Sequence, residues 1–147
     1  MTDIVHRDES FAVMGACFDV YKFKGSGFTE PIYQECLKIE LGLRGIPFVA
    51  QPILELEYKG IALEQTFRPD FICFNKIVIE IKALEQLANV HRAQTLNYLN
   101  ATKYDLAILV NFGHFPKLEY ERIANDRNRG TRSTVYGRLA ERDDFDF

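Results

Sequence analysis

The chain predicts an α/β domain, a mixed β-sheet flanked by helices, on three observations. Two segments near the N-terminus, residues 8–23 and about 29–43, place apolar residues at helical spacing. Four short strand-like runs follow between residues 53 and 82, separated by turn signals. A helical segment and then a continuous apolar run, Asp105 to Asn111, come after them. Strand, helix and strand in series favour a right-handed parallel crossover. The order is α-α-β-β-β-β-α-β.

Each element has a local cause. In the first helix Phe11, Val13, Met14, Cys17, Phe18 and Tyr21 form the apolar stripe, and Lys24-Gly25-Ser26-Gly27 breaks it. Thr29 is placed to cap the second helix. Glu30 falls in its first turn, where negative charge suits the helix dipole, and Pro31 is tolerated there. Gly45-Ile46-Pro47 ends it. Ile53 to Tyr58 alternates apolar and acidic residues as a half-buried strand does; Lys59-Gly60 is a two-residue turn signal and Ile61 to Phe67 returns. Asp70 to Phe74 reads as the third strand, Asn75-Lys76 as a tight turn, and Ile77 to Lys82 as the fourth strand. That fourth run is apolar at nearly every position, which marks a central strand buried on both faces. Glu85 to about Ala101 is helical, with Leu87, His91, Tyr98 and Leu99 near one side. Leu118 to Ile123 adds an edge strand. Residues 1–123 thus form one domain, and 124–147 read as a partly ordered tail with a short helix around Val135–Ala140.

Composition narrows the class. At 147 residues, 47% hydrophobic and 27% charged, the chain is an ordinary globular protein long enough for a real core. No apolar run approaches the roughly 18–20 residues of a membrane span. The polar start, MTDIVHRDES, lacks a signal peptide's apolar stretch, so a cytoplasmic location is expected. Cys17, Cys36 and Cys73 are odd in number and far apart in apolar stretches, which points to buried reduced thiols. The net charge of −3 argues mildly against tight non-specific nucleic-acid binding. Basic groups are concentrated instead: Arg122, Arg127, Arg129, Arg132, Arg138 and Arg142 stand against three acids between Glu121 and Arg142, before the acidic Asp143-Asp144-Phe145-Asp146-Phe147.

The chemistry centres on residues 69–82. Successive strand side chains point to opposite faces, so Glu80 and Lys82 share one face while Ile77, Ile79 and Ile81 take the other. A hairpin can bring Asp70 alongside them. Two carboxylates converging with a lysine can hold a divalent metal next to a phosphate and a water. Mg²⁺ wants hard oxygen ligands and keeps several waters, so Asp70 and Glu80 suffice as its carboxylates. The bland reading is an exposed Glu80–Lys82 ion pair on a strand. No GxxxxGK[ST], GxSxG or HExxH occurs, and Gly25-x-Gly27 follows a helix rather than a strand, which excludes a dinucleotide fingerprint. Glu35 and Glu40 read as solvated helix charges, His91 as a structural histidine, and Asn111-Phe112-Gly113 as a turn.

Pro69-Asp70 followed by Glu80-Ile81-Lys82 resembles the PD-(D/E)xK nuclease superfamily. More closely, the chain resembles the small bacterial GxxExxY proteins assigned to that superfamily, whose naming motif stands here as Gly27-Phe28-Thr29-Glu30-Pro31-Ile32-Tyr33. The resemblance runs from about residue 10 to about residue 123 and includes a downstream Gln94-x-x-x-Tyr98. It implies a restriction-endonuclease-like core, Mg²⁺ or Mn²⁺ held by Asp70, Glu80 and the main-chain carbonyl of Ile81, and a water oriented by Lys82. It also implies that Glu30 joins the metal site from its helix, and that Gln94 and Tyr98 hydrogen-bond around the site and contact substrate. Without the resemblance, Glu30 is equally a solvent-facing acid serving the helix dipole, Tyr98 a core residue and Gln94 a surface one. Tyr33 reads as a core or rim aromatic.

The function implied is hydrolysis of phosphodiester bonds in nucleic acid, DNA ahead of RNA, with a homodimer as a means of addressing two strands. The rival is a binding or scaffolding module that keeps the nuclease fold without turnover, since fold alone does not fix function.

Overall fold

The computed structural model describes residues 5–125. Helices α1 (Arg7–Lys24) and α2 (Glu30–Leu43) open the chain. Strands β1 (Phe48–Ala50), β2 (Leu54–Tyr58), β3 (Ile61–Phe67), β4 (Phe71–Cys73) and β5 (Ile77–Lys82) follow. Helix α3 (Asn89–Asn100) leads into β6 (Leu106–Asn111) and β7 (Glu119–Ala124). A five-stranded sheet runs in the order β1-β4-β5-β6-β7. β5 and β6 are parallel, joined through α3, and the other pairs are antiparallel. This is the mixed sheet flanked by helices that the sequence predicts.

Alternation along β5 divides the core. Ile77, Ile79 and Ile81 pack with Leu106, Ile108 and Val110 of β6 against Val13, Cys17, Leu37 and Leu41 of the two N-terminal helices. Val78, with Ala107 and Leu109, faces Leu96 and Leu99 of α3. Glu80 and Lys82 continue the side of Val78, as strand periodicity requires. β5 lies between β4 and β6 and is buried on both faces over most of its length. Arg44 ties the helices together, donating to Asp19 of α1 at 2.6 Å and Glu40 of α2 at 2.8 Å. Cys17 and Cys73 are buried, and burial pushes both thiols up, Cys73 to about 12.

The structure corrects four readings. Phe48–Ala50 is a strand, and it holds the sheet position beside β4. Three residues after a Gly-Ile-Pro helix stop carry too little periodicity to announce a strand. Among the described residues the two long strand runs instead pair only with each other, as a separate β2–β3 hairpin whose base (Leu54, Leu56 and Phe67) packs toward α3. The tight turn after β4 is centred one residue earlier, on Phe74 and Asn75, both with φ above +50°. Lys76 N–H closes it on the Cys73 carbonyl at 3.0 Å. Finally, α3 starts at Asn89, because residues 83–88 are pinned as a connector. The anticipated tail helix around Val135–Ala140 lies outside the described residues.

That connector bears on the site because it begins beside Lys82. The buried side chain of Asn111 accepts the Leu84 N–H at 2.8 Å and donates to the Leu84 carbonyl at 3.0 Å. It also donates to Glu119 Oε1 at 2.9 Å, an oxygen that accepts the Leu87 N–H as well. A turn reading of Asn111-Phe112-Gly113 is therefore right about the backbone but misses this clamp.

Candidate functional site

Asp70 stands at the entrance to β4, held by its main chain. Its N–H is shared between the Ile79 carbonyl at 3.1 Å and Glu80 Oε1 at 3.2 Å, and its carbonyl accepts the Gln51 N–H at 2.9 Å. Its side chain crosses to β5, where Oδ2 accepts the Ile81 N–H at 2.7 Å. β4 pairs with β5 only as far as Ile79, so the Asp70 carboxylate takes the place of the next strand residue. Each carboxylate commits one oxygen to a main-chain N–H. Asp70 Oδ1 and Glu80 Oε2 accept no hydrogen bond among the described residues. An extended residue turns its N–H and C=O to the same side, so the Ile81 carbonyl faces the side from which Asp70 approaches.

Burial makes this pair costly. Desolvation raises the Asp70 pKa, Glu30's charge adds to the rise, and the Ile81 N–H and Lys82 oppose it. Glu80 is pushed up to about 8 by burial first and by the Asp70 charge second, against the Asp70 N–H and Lys82. Two half-buried carboxylates with spare oxygens are the donor set a hard divalent cation matches. Among the described residues no three His, Cys, Asp or Glu side chains form a metal-holding group. A cation here would therefore rest on two carboxylates, main-chain oxygen and water, which is within the habit of Mg²⁺.

Lys82 lies on the Glu80 face, and its ammonium makes no ion pair within 4.0 Å among the described residues. The exposed Glu80–Lys82 pair is thus not what these residues form. Glu30 is the first residue of α2 and lines a cleft of about 700 Å³ together with Gln34, Glu35, Lys38, Gln51 and Asp70. Its charge reaches both Asp70 and Glu80. Gln94 and Tyr98 come from α3, which packs on the sheet face that Val78 shares with Glu80 and Lys82. Tyr98 stacks on Phe67 at 3.9 Å and Gln94 Nε2 stands 3.5 Å from the Tyr98 hydroxyl. Neither hydrogen-bonds Asp70, Glu80 or Lys82 among the described residues. Their visible role is to support the end of β3 just before Arg68-Pro69-Asp70. His91 is structural, its Nδ1 accepting the Ala88 N–H at 3.0 Å at the start of α3.

Sequence reasoning passed over Gln34, Lys38 and Gln51, and set Glu35 aside as solvated. Glu30, Gln34 and Lys38 recur every four residues, so one helix face could have been read from the sequence. Gln51 gave no signal: it has φ +48°, unusual for a residue with a side chain, in the linker whose N–H bonds Asp70.

The raised Glu80 pKa has a testable sign. A carboxyl whose folded pKa exceeds its unfolded value of 4.5 stabilises the fold fully below 4.5. That contribution is lost as pH rises to about 8. Metal-free protein should therefore show a falling urea midpoint between pH 5 and 8, and Glu80→Gln should flatten that fall. Identical pH slopes in both proteins would contradict it.

The family model described as PD-(D/E)XK nuclease superfamily matches residues 7–123. The crystal structure of SSO0001 is similar at 25% identity and a TM-score of 0.51, covering 76% of this chain and 56% of that one. This chain thus spans little more than half the length of that protein. The crystal structure of an alkaline exonuclease (LHK-Exo) from Laribacter hongkongensis aligns at 12% identity and a TM-score of 0.45, over 95% of this chain and 77% of that one. No curated protein matches the chain.

Proposed function

The chain belongs to the PD-(D/E)XK nuclease superfamily, and on that premise we propose that it is a divalent-metal-dependent nuclease hydrolysing phosphodiester bonds, in DNA ahead of RNA. The observation that carries this reading is the half-buried Asp70–Glu80 pair beside Lys82; among the described residues each carboxylate keeps one oxygen uncommitted and the lysine makes no ion pair. The spacing Gly27, Glu30, Tyr33 supports placing the chain among the GxxExxY proteins within that superfamily.

Asp70 and Glu80, with the Ile81 carbonyl, would hold Mg²⁺ or Mn²⁺. Bound there, the ion makes water more acidic and stabilises charge on phosphate oxygens. Lys82, on the Glu80 face, donates hydrogen bonds to the attacking water or to the charge that builds on the phosphate. Glu30 adds negative charge from the cleft wall and would favour a cation at the strand end. Lys38 and Arg68, both exposed near the cleft or the Pro69-Asp70 entry, offer cations to the substrate backbone. Gln94 and Tyr98 support the strand that delivers Asp70. Cutting both strands of a duplex with one such site per chain calls for two copies, so a homodimer is part of this reading.

Mn²⁺ titration of wild type, Asp70→Asn and Glu80→Gln tests the site directly. Each variant should bind at least roughly tenfold more weakly, a loss at the low end of what disturbing a metal site costs. Equal affinity in all three proteins would remove the metal from Asp70 and Glu80. With nucleic-acid binding retained, that result would favour the non-catalytic binding module.

A further inference from the structure

Tyr33 is fully buried, yet its hydroxyl serves a surface turn. It donates to the Gly25 carbonyl and accepts the Phe28 N–H at 3.2 Å. The ring stacks on Phe112 with centroids 4.7 Å apart and planes within 9°, and meets the Phe28 ring edge-on at 6.1 Å. Phe112 in turn donates its N–H to the Lys82 carbonyl at 2.9 Å. One side chain therefore touches both the turn that ends at Glu30 and the residue that anchors Lys82.

The turn needs this support. Gly25 and Gly27 have φ of +69° and +110°, a region side-chain-bearing residues avoid. Thr29 occupies the N-cap of α2 but its side chain makes no capping hydrogen bond. The usual local device for fixing a helix entry is absent here. The Tyr33 hydroxyl, reaching back from the first turn of α2, holds the entry instead.

We propose that Tyr33 is a positioning residue. Its hydroxyl fixes the Gly25–Phe28 turn and thereby holds Glu30 at the cleft beside Asp70, in register with the strand that carries Lys82. The inference rests on the nuclease reading in giving Glu30 a part in cation binding, but the hold on the turn is separately measurable.

Tyr33→Phe keeps the stack on Phe112 and removes both hydroxyl bonds. Amide hydrogen exchange followed by NMR should then show faster exchange at Phe28, with Ile79 and Val110 in the central strands unchanged. Mn²⁺ affinity should fall roughly tenfold. Glu30→Gln should lower it similarly, and the double variant should bind no more weakly than Glu30→Gln alone. Gly27→Ala, which strains the same turn from its exposed side and leaves Tyr33 in place, should reproduce the coupling. Unchanged Phe28 protection in Tyr33→Phe would overturn the proposal. So would affinity losses that multiply in the double variant, because Tyr33 would then act independently of Glu30. Absence of Mn²⁺ binding by wild type would overturn the metal reading itself, and the exchange measurement would still decide whether Tyr33 holds the turn.

Discussion

Asp70→Asn is expected to lower phosphodiester cleavage on the order of 10³-fold while leaving the fold intact. The two halves of that expectation have separate causes. The asparagine side-chain oxygen can still accept the Ile81 N–H that Asp70 Oδ2 accepts at 2.7 Å, so the junction of β4 and β5 stays anchored. What disappears is half of the negative charge on the pair proposed to hold the cation. The same charge raises the Glu80 pKa, so its removal should make the metal-free protein more stable at pH 8, where both carboxylates otherwise repel. A gain in stability joined to a loss of activity is the mark of a group kept for function. Lys82→Ala should show the loss without the gain. Its ammonium makes no ion pair within 4.0 Å among the described residues, but its charge favours the ionised forms of Asp70 and Glu80, so its removal relieves no repulsion. Cleavage rates and urea midpoints for the two variants check this. Retained cleavage in both would sink the assignment.

Gly113→Ala carries the largest expected effect on stability. A Cβ at Gly113 would lie 2.5 Å from the Leu84 nitrogen and 2.6 Å from both the Ala83 carbonyl carbon and the Leu84 oxygen. All three are main-chain atoms, so no side chain can swing aside. Either the segment after β6 or the connector after Lys82 must move. Moving the connector breaks the paired bonds between Asn111 and Leu84. A destabilisation of about 3 kcal/mol or more is expected, at the upper end for forced overpacking. For a domain of this size that is a fall in Tm of roughly 10 °C. Because the disturbed segment begins at Ala83, cleavage should fall with it even where the protein remains folded. Thermal unfolding of Gly113→Ala decides the matter, and an unchanged Tm would contradict the close approach.

Much of this could be read from the residues, and the rest had physical reasons to stay hidden. The helices and the central strands were legible because their apolar periodicities are long and unbroken. Glu80 and Lys82 fall on the face of Val78 because strand alternation admits no other arrangement. Phe48–Ala50 was illegible because a three-residue strand is defined by its partner, β4, and not by its own pattern. The β2–β3 hairpin was legible as a hairpin, but its exclusion from the main sheet depends on where β1 inserts. At the site, the pairing of Asp70 with the Ile81 N–H needed the strand register. Glu30, Gln34 and Lys38 announced one helix face, whereas Gln51 reaches the cleft through a backbone conformation that its residue type disfavours. Tyr33 was legible as a core or rim aromatic, but its hydroxyl bonds to Gly25 and Phe28 appear only when the turn is folded.

Asp70, Glu80 and Lys82 are proposed to form a metal-dependent phosphodiester-cleaving site. The most direct test is cleavage by purified wild-type protein of linear and circular, single- and double-stranded DNA and of RNA, with Mg²⁺, with Mn²⁺ and with EDTA. Cleavage of at least one DNA substrate with either metal, and none with EDTA, is expected. Cleavage that persists undiminished in EDTA, or folded protein that binds Mn²⁺ and cuts no substrate in the panel, would contradict it.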